Sequence, residues 1–269
     1  MRFWPILSIL IGLLTTCWGG LPVLAQTSQS RSQATPASKW SSNLSWSASR
    51  NMDYYSDYFT RLSSSLNYNL SESMGLDFGF DYSQPIKDDE EQVRRYGFGD
   101  LSVGVSWPGL MKSPGSSLAG SVTLVLPTSR ASQKASLMTS VEMGLSYSVR
   151  WKLFGISTSH AFIFSHYEFD TADEHGEVQN SPYGLNNSVM GSIFITPRIT
   201  LGGGGGIYMY QTYSGRNYQI LSARTSLSVA ATESLSFSAG YSWRDSLLTN
   251  NSFLDDDTTV ASLSMSYSF

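Results

Sequence analysis

Cysteine is almost missing from this sequence: of 269 residues, only Cys17 carries a thiol. One thiol excludes an intrachain disulfide framework, a CxxC redox pair and a thiolate metal cluster. Charge is sparse as well, with 17 Lys+Arg against 21 Asp+Glu. A chain of negative balance offers no basic field to gather nucleic acid or anionic headgroups, so a nucleic-acid partner is not expected. Histidine occurs three times, as His160, His166 and His175. Beyond residue 25 no segment approaches the roughly 18 continuous apolar residues of a spanning helix.

The one long apolar run lies at the start. Arg2 is followed by Phe3 to Leu14, and Val23-Leu24-Ala25 is a small-residue cleavage site before Gln26. That order of charge, apolar stretch and small residues predicts a Sec signal peptide over 1–25. Cleavage there removes Arg2 and leaves 16 basic against 21 acidic residues, a net charge of −5. Cys17 follows Leu14-Thr15-Thr16. Lipoprotein signals place a small residue where Thr16 stands, so lipidation of Cys17 is the lesser alternative. Gln26 to Lys39 is polar and reads as a disordered linker.

From residue 40 the chain alternates with period two, the period of a strand whose faces meet different surroundings. Leu76, Phe78, Phe80 and Tyr82 oppose Asp77, Gly79 and Asp81. Val141, Met143, Leu145, Tyr147 and Val149 oppose Glu142, Gly144, Ser146, Ser148 and Arg150. The pattern predicts strands at about 40–50, 58–70, 75–84, 98–107, 117–127, 139–151, 155–166, 185–196, 199–211, 218–231, 235–245 and 258–269. Segments of about ten alternating residues between turns are the pattern of membrane barrels. At about 3.3 Å per residue and 40° tilt they rise about 25 Å, the height of the apolar band. A secreted β-sandwich also alternates, but its strands are shorter, near five or six residues.

The connections sort into two sets. Those near 71–74, 108–116, 152–154, 197–198 and 232–234 are mostly short. Those near 51–57, 85–97, 128–138, 167–184, 212–217 and 246–257 are mostly longer. The long set carries Asp88-Asp89-Glu90-Glu91, Asp173-Glu174-His175 and Asp255-Asp256-Asp257. Short periplasmic turns and long external loops characterise outer-membrane barrels. Trp40, Tyr68, Trp107, Trp151, Tyr267 and Phe269 fall at predicted inner ends, and Tyr58, Tyr82 and Trp243 toward outer ends. Two aromatic girdles are what membrane boundaries select. The expected fold is therefore an all-β, transmembrane, antiparallel up-and-down β-barrel of about 12 strands over 40–269. Both termini are expected to be periplasmic and the cell outer membrane is the expected location, with outer-membrane lipid and lipopolysaccharide as surroundings.

The chain closes on Leu263, Met265, Tyr267 and Phe269 at alternate positions. This ending resembles the C-terminal signal that delivers outer-membrane barrels to the barrel assembly machinery, with Ser264 where glycine is usual. The resemblance implies that machinery as a partner, reached through Tyr267 and Phe269. Gly97-Phe98-Gly99-Asp100-Leu101-Ser102-Val103-Gly104 and Leu124-Val125-Leu126-Pro127-Thr128 resemble two pieces that members of a broad family of outer-membrane transporters named for the meta-cleavage pathway of phenol degradation tend to carry. Ser129 stands where that family has glycine, and the resemblance implies no substrate.

The polar phase is chiefly Ser and Gly. A small-residue lining in a barrel between the filled 8-stranded and the open 16-stranded types predicts a water-containing lumen and a channel or transporter for small solutes. Arg61, Asp77, Asp81, Asp100, Glu142, Arg150, Arg224 and Arg244 fall on that phase and are expected to line the pore. Hairpin folding sets Asp81 opposite Asp100, with Arg61 one strand back. Acidic and basic walls facing across the lumen would create a transverse field; local salt bridging is the plainer reading. Gly202 to Gly206 reads as a bend or thin wall, lacking the Lys-Ser/Thr of a phosphate loop. A lipid-modifying enzyme and a structural or adhesive barrel are the alternatives. No catalytic constellation emerges: Ser165 and His166 are sequence neighbours and point to opposite faces. His160 and His166 share a phase of mixed character, whose orientation the sequence leaves open. His175 and the Asp255 to Asp257 run lie in expected loops, so neither a metal nor a cofactor is expected, and no enzyme activity.

Overall fold

Strict two-residue alternation over ten or more positions is satisfied by a strand with unlike surroundings on its two faces. In the computed structural model, which describes residues 39–51, 58–85, 97–171, 179–246 and 259–269, each alternating segment is such a strand. In chain order they are β1 (Trp40–Asn51), β2 (Tyr58–Ser71), β3 (Met74–Pro85), β4 (Gly97–Phe98), β5 (Leu101–Ser113) and β6 (Ser116–Leu126). After a short helix α1 (Arg130–Lys134) come β7 (Leu137–Arg150), β8 (Phe154–Tyr167), β9 (Tyr183–Phe194) and β10 (Ile199–Gln211). β11 (Asn217–Ala230), β12 (Leu235–Ser246) and β13 (Thr259–Ser268) complete the set. The expected signal peptide, Cys17, nearly all of the linker and the three acidic loop runs lie outside the described residues.

Each strand pairs antiparallel with its predecessor except β5, which pairs with β3, and β13 pairs with β1, so the sheet closes on itself. β4 and β5 are one stave broken at Gly99-Asp100, because both pair with β3. The result is a 12-stave antiparallel barrel, the outer-membrane type expected. A closed ring leaves no unpaired edge, which an apolar surrounding could not satisfy. At the seam Asn43 stands opposite Ser268, and Ser42 and Phe269 exchange two backbone hydrogen bonds of 2.9 and 3.0 Å.

The surface is inverted relative to a water-soluble protein. Phe78, Val103, Leu124, Leu145, Phe162, Leu201 and Leu227 are exposed, and among the described residues Ala161, 2 % exposed, and Pro182 are the only buried side chains of apolar type. The alternate residues, mostly Ser and Gly, occupy the opposite face of the sheet. Trp40 packs on Tyr68 with centroids 4.5 Å apart, and Tyr267 on Phe269 at 5.7 Å, along the rim where the short turns lie. This is the turn rim; the opposite one is the loop rim.

The structure departs from the sequence-based expectation in three places. The turn expected over 108–116 shrinks to residues 114–115, with Gly115 at φ 84°. Pro108-Gly109 does not end β5; a register shift between Trp107 and Met111 absorbs the proline as a bulge. The expected strand over 98–107 breaks at Gly99-Asp100. Finally, the expected loop 128–138 contains α1, capped by Ser129, whose side chain accepts from the Ser132 N–H at 3.1 Å. Ser136, at φ 58°, ends it in the left-handed conformation.

Candidate functional site: the interior wall and its loop rim

Hydroxyls on the interior face bond sideways. At register pairs Ser117 and Ser148 lie 2.8 Å apart, Ser140 and Ser165 2.9 Å, and Ser238 and Ser264 2.6 Å. Asn43 spans the seam and donates to Ser266 at 2.9 Å and Ser268 at 3.2 Å. Neighbouring strands thus satisfy each other's polar groups along the wall, so nothing obliges these side chains to meet across the axis.

Seven of the eight charged residues singled out from the sequence share the Ser- and Gly-rich face of the sheet by register, Asp100 lies at the strand break without a ladder partner, and their surroundings differ. Arg61 forms an ion pair with Asp81, its Nη2 2.6 Å and its Nε 3.1 Å from one carboxylate oxygen. Asp100 does not confront Asp81. The break at Gly99-Asp100 frees its carboxylate to accept from the Ser129 N–H at 2.8 Å and from the Ser132 hydroxyl. Thr128 completes that latch: its hydroxyl donates to the Gly99 carbonyl and accepts from the Leu101 N–H, both at 3.0 Å. The two motif pieces recognised in the sequence, Gly97 to Leu101 and Leu124 to Ser129, are therefore in contact and fix the start of α1.

Arg150 lies near the turn rim with its guanidinium 4.0 Å from the Phe194 ring centroid. Asp77, Glu142, Arg224 and Arg244 form no ion pair among the described residues. Local partners thus engage two of the expected acidic groups, Asp81 and Asp100, whereas no carboxylate partner is described for Arg224 or Arg244.

Sequence reasoning missed two features here. Tyr208, Tyr210 and Tyr218 form an offset stack, with centroids 5.5 and 5.1 Å apart and interplanar angles of 28° and 14°. Their parity with Gly204 and Arg224 was the signal that could have shown it. The second is Asn180, 5 % exposed, whose amide donates to Ala135 O at 2.8 Å and Phe169 O at 2.9 Å. Its backbone binds Asp170 and Tyr213. Its side chain thereby joins the loops after α1 and β8, and its backbone carbonyl adds the loop after β10. A cavity of about 480 Å³ opens at this rim beside His166, Tyr183 and Tyr213.

The mixed phase of β8 resolves outward. His160 pairs in register with Leu145 and Asn187, and its Nδ1 lies 3.0 Å from Asn187 Oδ1. A base with an orienting amide is two-thirds of a hydrolase constellation. However, His160 is six residues from the start of β8, about 15 Å up the apolar band at ~3.3 Å per residue and 40° tilt. Lipid esters lie at the band's boundaries, so the pair reads as mutual satisfaction of two polar groups. His175 lies outside the described residues, and no cluster of metal-ligating side chains occurs among those described.

No known protein-family description matches the chain, and no curated protein sequence matches it. Solved structures do. An outer membrane channel from Pseudomonas putida F1 superposes with a TM-score of 0.62 at 12 % identity, covering 88 % of this chain and 100 % of that one. The NanC porin gives 0.57 at 11 % identity, over 84 % and 98 %. The KdgM porin, solved in complex with disordered oligogalacturonate, gives 0.52 at 11 % identity, over 84 % and 99 %. The chain has the fold of outer-membrane channels.

Proposed function

We propose that the protein is an outer-membrane channel that passes small polar solutes through its Ser- and Gly-lined interior. The observation that carries this reading is the wall itself: its hydroxyls pair sideways at 2.6–2.9 Å, and glycines occupy many of the remaining interior positions. A barrel whose task is only structural gains most by filling its axis with bulky side chains. The solved neighbours are channels and porins, which supports the same class. In this reading the turn rim and both termini face the periplasm, lipid and lipopolysaccharide surround the apolar belt, and Tyr267 and Phe269 engage the assembly machinery. The contact between Asp100 and the Thr128-Ser129 loop supports kinship with the meta-cleavage transporter family, because it gives both shared pieces one structural task.

Planar-bilayer recording of the purified protein tests the proposal. Steady unitary currents are the expected result. Asp81→Asn with Asp100→Asn removes two negative charges from the wall and shifts the reversal potential toward anions. A folded, heat-modifiable barrel that stays electrically silent overturns the channel reading.

A further inference from the structure

Strand register builds one side of the cavity at the loop rim. Phe164 on β8, Tyr183 on β9 and Gln211 on β10 stand side by side on the apolar face of the sheet. The Phe164 and Tyr183 ring centroids lie 5.7 Å apart. His166 follows on the same face, two residues beyond Phe164. Two loop segments make the facing side: Asp170 comes from the loop after β8, and Thr212 and Tyr213 from the turn after β10. All of these border one space of about 480 Å³, within the roughly 300–1,000 Å³ of small-ligand sites.

The loop side is held in place by its own hydrogen bonds. The Asn180 N–H donates to the Asp170 carbonyl at 2.8 Å, and the Asn180 carbonyl accepts from the Tyr213 N–H at 3.2 Å. One backbone unit thus ties the two segments together. Thr212 is buried, and its hydroxyl accepts from the Arg216 N–H at 3.2 Å. Gly215, at φ 80°, closes the turn by donating to the Thr212 carbonyl at 2.9 Å. The Tyr213 ring stands edge-on to Tyr167, with centroids 6.4 Å apart and an interplanar angle of 81°. The rings are fixed in position, yet Tyr183 and Tyr213 stay exposed.

We propose that this cavity binds a neutral sugar ring of the glycolipid surrounding the barrel. The proposal rests on the channel reading only for its orientation, in which the loop rim faces outward. Exposed aromatic faces suit the apolar C–H face of a pyranose, and the tyrosine hydroxyls suit its polar edge. The Asp170 carboxylate, the Gln211 amide and the His166 imidazole supply acceptors and donors for sugar hydroxyls. No Lys or Arg lines the cavity among the described residues, and Asp170 forms no ion pair there. A carboxylate without a cation repels phosphates and acidic sugars, so the ring it accepts is neutral. Place selects the source. The Phe164, Tyr183 and Gln211 row lies on the face that meets lipid, at the end of the belt where headgroup sugars begin.

Saturation-transfer NMR tests this on the purified protein in an amine-oxide detergent, which carries no sugar headgroup of its own. Methyl β-glucoside and methyl β-galactoside are the probes, and glucuronate is the control. The expected result is transfer to the C–H protons of at least one neutral glycoside, with binding of glucuronate about tenfold weaker. Tyr183→Leu and Tyr213→Leu each weaken glycoside binding about three- to tenfold. Asp170→Asn raises glucuronate binding toward that of the glycosides, a change of preference that a loosened loop does not produce. The heat-modifiable band verifies that each variant is folded. No transfer to either glycoside, equal binding of glucuronate, or indifference to both tyrosine substitutions overturns the site. Micelles of a lipopolysaccharide whose glycan ends in neutral hexoses should displace the glycosides about tenfold better than one truncated to its phosphorylated inner sugars. Equal displacement, or none, overturns the glycolipid as source. The assay draws no current, so an electrically silent barrel removes the channel reading without deciding the sugar site.

Discussion

Glycine in a strand weakens pairing, yet within β10 the five glycines are not equivalent. A Cβ at Gly203 has its nearest neighbour, Arg224 O, at 3.7 Å, so alanine fits there. At Gly204 the same atom collides with Val189 backbone, which cannot yield. Gly203→Ala is expected to be neutral or slightly stabilising, and Gly204→Ala to destabilise by about 1–3 kcal/mol, the usual range for overpacking. Urea titration of the folded, heat-modifiable band separates the two. From the sequence the run was legible only as a bend or thin wall. Which glycine is obligatory depends on the strands alongside, and those are 14 and 20 residues away in register. Asp100 teaches the same lesson: its phase was readable, but its partners Ser129 and Ser132 depend on a bulge and a helix that periodicity does not encode. Asp100→Ala removes an ionised acceptor from two donors and is expected to cost about 1.5–3 kcal/mol per lost bond locally, read as faster amide exchange at Ser129 to Ser132.

Strands were legible where alternation is uninterrupted, as in β7, β10 and β12, because one face must be apolar for its whole height. Legibility failed where the backbone breaks its own period, at Gly99-Asp100 and Pro108-Gly109, and where a segment owes its shape to distant partners. α1 is five residues long, too short to persist alone. It is held at its start by Asp100 and, just beyond its end, by Asn180 on Ala135 and by Glu168 N–H on Ser136 O at 2.8 Å. Asn180 was hidden inside an expected loop of 167–184. Asn180→Ala strips the Ala135 and Phe169 carbonyls of their donor and unties the loop after α1 from the loop after β8. Hydrogen exchange should accelerate about 5- to 100-fold around Ser136 and Glu168, corresponding to about 1–3 kcal/mol, and much less at Tyr213, whose N–H stays on the Asn180 backbone carbonyl. The urea midpoint of the barrel should not move, since the wall ladders are untouched.

Among the described residues almost no apolar side chain is buried, so stability comes from a continuous ring of backbone hydrogen bonds and from the apolar surroundings of the belt. Closure was readable from an even number of strands, while the seam itself was not, because β1 and β13 are more than 200 residues apart in sequence. Phe269 has two roles that can be separated. Its backbone closes the seam with Ser42, whereas its ring is 72 % exposed. Phe269→Ala keeps the backbone bonds, and is expected to refold in detergent with an unchanged urea midpoint while its yield in outer membranes falls about tenfold. Equal yields would remove the assembly role assigned to the ring.

The contact between Ser42 and Phe269 has a further consequence. When the last strand lies beside the first, the ring has no intrinsic beginning, and the order in which staves are threaded is a property of synthesis rather than of the finished object. Joining the two ends by a short linker and cutting at the two-residue turn 72–73 should give a circular permutant whose staves stand in the same order around the same axis, with every ladder kept but the origin moved.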